Sequence, residues 1–133
     1  MKLEEIRRSA HTFPNHAYAC ILAGYLGDAV GAYVELNPIF VEGQELRAAL
    51  DLEEGGSHQI GAGQVTDDSE MSMSLMWALI LTNYGVDSED EKHINFDTIA
   101  QLYVKWLRSK PFDIDSTVNY ALNYFEFNSE EAT

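Results

Sequence analysis

Residues 17–35 read AYACILAGYLGDAVGAYVE, and the spacing of their apolar positions decides the fold class. Tyr18, Ile21, Leu22, Tyr25, Leu26, Ala29, Val30 and Tyr33 recur at steps of three and four, the period of an amphipathic helix that starts after Pro14-Asn15. A second face of the same helix carries Gly24, Asp28, Gly31 and Glu35, stacked so that two carboxylates project from a stripe with almost no side-chain bulk. Glycine costs a helix interior up to about 1 kcal/mol relative to alanine, so this stripe predicts that another element, such as a second helix, approaches the backbone closely. Asn37-Pro38 then ends the helix.

Residues 44–50 read as a short helix. The segment 53–63 holds Gly55, Gly56, Gly61 and Gly63 with Ser57 and His58, and reads as an irregular loop. It leads to Thr66-Asp67-Asp68-Ser69, where Met71, Leu75, Met76, Leu79 and Ile80 begin a helical period that runs to Gly85. Asp67 and Glu70 are spaced like a capping box. The run Asp87-Ser88-Glu89-Asp90-Glu91 reads as a solvated connection, because charges this dense repel one another in any packed setting.

Two further helices are predicted. One spans about 96–110, turns Ile99, Leu102, Tyr103, Trp106 and Leu107 inward, and stops at Pro111; the other starts near Asp115-Ser116 and carries Val118, Ala121, Leu122 and Phe125. With no strand run and no repeat, the expectation is an all-α fold, a compact orthogonal bundle of about five helices forming a single domain over 1–133. Trp77 and Trp106 read as core anchors, and Cys20, Met71, Met73 and Met76 as core filler. His11, His16, His58 and His93 show no partner pattern and receive no role.

Composition narrows the function classes. The 133 residues are 46% hydrophobic, enough to bury a core and to argue against disorder. Twenty-two acidic against eight basic residues give a formal charge of −14, which opposes binding to a nucleic-acid backbone or an anionic membrane. One cysteine forms no internal disulfide, and with four histidines it fits no common zinc spacing. The default compartment is therefore reducing and cytoplasmic. The charged residues 1–10 lack the apolar stretch of a secretory signal. An aspartate inside 17–34 would cost roughly 2.5–3.5 kcal/mol in a bilayer, so no membrane span is expected there.

Three groups of residues could carry chemistry. Thr66, Asp67 and Asp68 gather hard oxygen donors at one point, which suits magnesium, manganese or calcium. The same residue types are preferred at any helix N-terminus, where they satisfy free N–H groups. Asp28 and Glu35 form an acid pair of the kind used in acid/base work or cation binding, though Glu35 also reads as a plain polar helix end. Asp113, Asp115, Ser116 and Thr117 precede the last helix, whose N–H groups and hydroxyls could receive a phosphate; an N-cap explains the composition as well.

The stretch LAGYLGDAVGAYVE at 22–35, followed by VTDDSEM at 65–71, resembles the paired signatures of the ADP-ribosylglycohydrolase family, in the family's order and setting. PFDIDST at 111–117 resembles the family's Asp-Ile-Gly-x-Thr-Thr segment. The resemblance implies a compact all-α hydrolase that cleaves the bond between ADP-ribose and an acceptor with paired Mg2+ or Mn2+ ions. It implies that Thr66, Asp67 and Asp68 are metal ligands and that Glu35 orients water or a ribose hydroxyl. With so few Lys and Arg residues, a diphosphate would rest on cations, loop N–H groups and helix ends. Asp28, Gly63, Ser116 and Thr117 are the substrate-binding candidates, with Gly55, Gly56 and Gly61 in the same loop.

Three departures accompany the resemblance. Ser69 stands where the family has threonine, and Asp115 where it has glycine. Family members are also longer and complete the two-metal site with a second motif of the type Gly-Asp-Thr-Asp-Thr, to which nothing after Thr117 is similar. The first expectation is thus a truncated hydrolase, weak or inactive alone, acting on an ADP-ribosylated protein or small ADP-ribose conjugate. The alternatives are a non-catalytic family derivative that binds a partner as an acidic helical protein, one half of a split enzyme completed by a separately encoded C-terminal half, or the product of a truncated gene that folds poorly.

Overall fold

A computed structural model describes residues 13–36, 41–86, 88 and 91–131. Among them run five helices: α1 Phe13–Val34, α2 Gly43–Leu50, α3 Asp67–Asn83, α4 Phe96–Arg108 and α5 Ser116–Glu131. The chain is all-α, and the β pairing among these residues is one isolated antiparallel bridge, Gly55 with Ile60. It divides into two compact units, residues 1–65 and 66–133. The expectations placed on 1–10, on Asn37-Pro38, on His11 and on most of the acidic run 87–91 lie outside the described residues.

In the first unit α1 packs on α2. The buried apolar residues here are Ala29 and Ala32 of α1, Ala48 and Ala49 of α2, and Ile60 of the following loop. Small side chains on both helices permit a short interaxial distance. Helix α2 closes in a Schellman motif: Leu52 adopts a left-handed backbone at φ 56°, its N–H donates to Ala49 O at 3.1 Å, and Glu53 N–H donates to Ala48 O at 3.0 Å.

The second unit is built on α4, which packs against both α3 and α5. Ala78, Val104 and Trp106 are its buried apolar residues. Asn95 caps α4, its side chain accepting from Thr98 N–H at 3.0 Å. At the far end Lys110 turns left-handed, and its N–H reaches Leu107 O at 3.1 Å. Pro111 follows and has no N–H to add the outer bond of a Schellman pair, so the helix stops there. Asn83 at the end of α3 clamps the start of the next segment in both directions, donating to His93 O at 3.1 Å and accepting from His93 N–H at 2.9 Å.

Several burial expectations are corrected. Trp106 is buried, but Trp77 is 53% exposed and does not anchor a core. Cys20 is exposed, as is Met73, so neither fills one. Tyr18, Leu22 and Leu26 on α1 are exposed, while its C-terminal half carries the buried alanines. A Cβ built on Gly24, Gly27 or Gly31 would meet nothing within 4 Å, so the glycine stripe faces open space rather than a close neighbour. Over Asn15–Val34, α1 is long and apolar enough to cross a bilayer by length and composition, with Asp28 inside the segment.

The tightest steric constraint is at Gly56. Its φ is +68°, and a Cβ there would lie 2.2 Å from the Tyr33 carbonyl oxygen. Gly56→Ala combines a strained backbone with a clash against main chain, and is expected to destabilise the protein by about 2 kcal/mol or more. Urea denaturation of the two proteins measures it; equal midpoints would contradict this packing.

Candidate functional site

In the first unit the site is organised where the glycine-rich loop meets the end of α1. Gly55 and Ile60 exchange N–H to O bonds of 2.8 Å in each direction, closing a six-residue loop. Gln59 tightens it: at φ 55°, its N–H and its side-chain amide both donate to Gly56 O, at 3.3 and 2.8 Å. Ser57 then docks the loop on the helix. Its N–H donates to Tyr33 O at 2.9 Å, its hydroxyl donates to the same oxygen at 3.2 Å, and Leu36 N–H donates to the Ser57 hydroxyl at 3.2 Å. This docking brings His58 to Glu35, with Nε2 3.5 Å from Oε2. The Glu35 side chain is half exposed and that of His58 mostly buried.

Among the other sequence candidates, Asp28 is half-buried on α1. The N–H groups of Gly55, Gly61 and Gly63 are engaged within the loop region, with Ile60 O at 2.8 Å, the Gln64 side-chain oxygen at 2.8 Å and Leu52 O at 3.0 Å. A phosphate arriving at these three groups competes with acceptors already in place. A separate open cleft of about 540 Å³ lies beside Tyr33, Gln44, Arg47 and Asp51, and no predicted site residue lines it.

In the second unit the motif Thr66-Asp67-Asp68-Ser69 opens α3 without the predicted capping box. Thr66 is the N-cap, yet its side chain makes no cap bond. Glu70 does not reach back to the helix start either, because its carboxylate accepts from the Trp106 indole N–H at 2.6 Å. The Glu70 departure has a physical cause: a buried indole N–H requires an acceptor, and Glu70 on α3 supplies it. Thr66 and Ser69 are buried, Asp67 is half-buried and Asp68 is exposed.

The PFDIDST segment joins this motif. Asp115 N–H donates to the Asp67 carboxylate at 3.1 Å, so two of the three recognised stretches meet in one unit. The Asp115 side chain turns toward its own helix, Oδ1 accepting from Thr117 N–H at 2.7 Å and Val118 N–H at 3.3 Å. These bonds, with that of Thr117 N–H the largest contributor, hold the Asp115 carboxyl below its ordinary range. The charge introduced in place of the family's glycine is thus directed to the first turn of α5, and the amide N–H of the candidate Thr117 is already occupied. Sequence reasoning missed His58, Trp106 as the partner of Glu70, and Asn83; each acts through a partner distant in sequence.

The sequence model of the family described as ADP-ribosylglycohydrolase matches residues 9–133. Two curated relatives are similar at lower coverage. The ADP-ribosyl-dinitrogen reductase glycohydrolase of Rhodospirillum rubrum is 28% identical over 77% of this chain and 32% of its own length. A protein of Acanthamoeba polyphaga mimivirus, named as an inferred ADP-ribosyl glycohydrolase, is 27% identical over 77% of this chain and 30% of its own. The chain thus spans about a third of the length of the curated relatives it matches.

The Asp115 cap gives a pH signature. Its carboxyl is more acidic folded than unfolded, so its contribution is complete above the ordinary aspartate range and is lost as pH falls through the lowered value. Asp115→Asn is expected to lower the thermal midpoint at pH 7 and to narrow the gap between pH 7 and pH 3. Thermal melts at both pH values test this, and an unchanged gap would remove Asp115 as a source of acid sensitivity.

Proposed function

Because the chain belongs to the ADP-ribosylglycohydrolase family, we propose that it serves in a hydrolase that cleaves the glycosidic bond between ADP-ribose and an acceptor. The observation that carries this reading is the family match over 9–133, which takes in every motif residue discussed above. The proposed substrate is an ADP-ribosylated protein or a small ADP-ribose conjugate, the class to which the substrate in the Rhodospirillum relative's name belongs. A nucleic-acid backbone is a poor alternative for a chain of charge −14, and a membrane is opposed by Asp28 within α1. The lone, exposed Cys20 suits a reducing, cytoplasmic setting.

Thr66, Asp67 and Asp68 are the proposed holders of Mg2+ or Mn2+. Their donor chemistry fits: two carboxylates and a hydroxyl that is not used to cap α3 make a set of hard oxygens. A bound divalent cation supplies Lewis-acid polarisation of ribose hydroxyls and water. Glu35 is assigned the orientation of the attacking water or of a ribose hydroxyl, a role for a carboxylate able to accept a proton. Asp28, Gly63, Ser116 and Thr117 are assigned to substrate contact. Asp67 carries a second duty, holding the backbone of Asp115, whereas Asp68 is exposed and has no such tie among the described residues. Asp68 is therefore the cleaner probe of cation binding.

The deciding measurement is thermal unfolding with and without millimolar Mg2+ and ADP-ribose. Ligands near ten times their Kd are expected to raise the midpoint by about 3–6 °C, since they bind only the folded state. Asp68→Asn is expected to abolish the cation-dependent part of the rise while leaving the unliganded midpoint nearly unchanged. A midpoint indifferent to both ligands counts against the hydrolase reading, and a full response in Asp68→Asn counts against the cation assignment.

A further inference from the structure

The loop that docks on α1 does more to Glu35 than lie beside it. Glu35 follows the last helical residue, Val34, where neither helix geometry nor packing fixes a long side chain. Its backbone is nevertheless held on both sides by one residue, because Tyr33 O accepts from Ser57 and Leu36 N–H donates to Ser57. The next residue along the loop, His58, brings its ring nitrogen Nε2 to 3.5 Å from Glu35 Oε2. Adjacent loop residues thus constrain the main chain and the carboxylate of the same glutamate.

The imidazole is the fixed member of the pair. Its side chain is 17% exposed against 54% for Glu35, and the loop that carries it is closed by the Gly55–Ile60 bridge and seated by the close approach of Gly56 to Tyr33. A half-exposed glutamate loses rotamer freedom on meeting such a partner, and a carboxylate required in one place gains from that loss occurring before substrate arrives. From this juxtaposition we propose that His58 is a positioning residue for Glu35: held by the Gly55–Ile60 loop, it fixes the direction in which the Glu35 carboxylate points. The proposal rests on the role given to Glu35 above.

The test reads the Glu35 carboxyl carbon by NMR, its signal identified by its loss in Glu35→Gln. His58→Ala is expected to move that signal. His58→Gln, whose side-chain amide nitrogen can reach the place of Nε2, is expected to return it toward the original position. The amides of Gly55 and Ile60 report whether the loop stays closed. An unmoved Glu35 signal in His58→Ala overturns the proposal. So does a His58→Gln protein that behaves like His58→Ala while the loop amides hold their positions. Where His58→Ala opens the loop, the glutamine variant alone decides.

In hydrolysis of an ADP-ribosylated substrate, His58→Ala is expected to lower kcat by about tenfold with little change in KM, since misplacement of a reacting group acts on the chemical step. A change in KM alone overturns the positioning role. Addition of ADP-ribose to the same NMR samples tests the hydrolase reading separately from the His58–Glu35 contact. Absence of any ADP-ribose response sinks the hydrolase reading, while the carboxyl signal still decides whether His58 fixes Glu35.

Discussion

One carbonyl oxygen organises the first unit. Tyr33 O, in the last turn of α1, lacks an intrahelical partner because the helix ends at Val34. It is satisfied from the loop, by the N–H and hydroxyl of Ser57. That arrangement requires the preceding residue to pass so close to the helix that only glycine fits, and Gly56 does so at a positive φ. Everything downstream in the loop inherits its position from this contact, including His58 and its approach to Glu35. A helix-end orphan, an ordinary problem of backbone chemistry, thereby determines the surroundings of the residue on which the proposed reaction most depends.

The second unit solves a different problem, the placement of many carboxylates in a chain with few cations. Asp115 is spent on the first turn of α5, Glu70 on the indole of Trp106, and Asp67 in part on the backbone of Asp115. In each case the partner is an N–H group rather than a lysine or arginine. Arg108 is committed to Glu126, a partly exposed pairing that adds at most about 1 kcal/mol. Acidic residues here act first as acceptors that complete the structure.

The helices were legible in the sequence because helical period, helix caps and proline stops are local signals. All five predicted helices occur; α1 begins at Phe13, three residues before the expected start after Pro14-Asn15, the other predicted ends agree to within two residues, and Pro111 ends α4 for the reason its chemistry gives. Burial was less legible. Periodicity identifies which face of a helix is apolar, but it carries no information on whether another element covers that face. Trp77 lies on a regular stripe with Met73, Ile80, Leu81 and Tyr84, and all five are exposed. The capping box failed for a related reason: Asp67 and Glu70 have the right spacing, but a buried indole from another helix competes for the glutamate and wins.

The motif residues show the same division between what spacing can and cannot specify. Thr66, Asp67 and Asp68 stand out as a cluster of oxygens in any reading, because they are consecutive. Glu35 and His58 do not, because the link between them is a loop whose course depends on a single missing Cβ at Gly56. A histidine in a glycine-rich stretch gives no periodic signal, and only the turn chemistry that folds the stretch back on itself gives it a partner. Recognition from sequence favours groups whose ligands are neighbours along the chain, while positioning groups act across contacts that the chain makes only once it has folded.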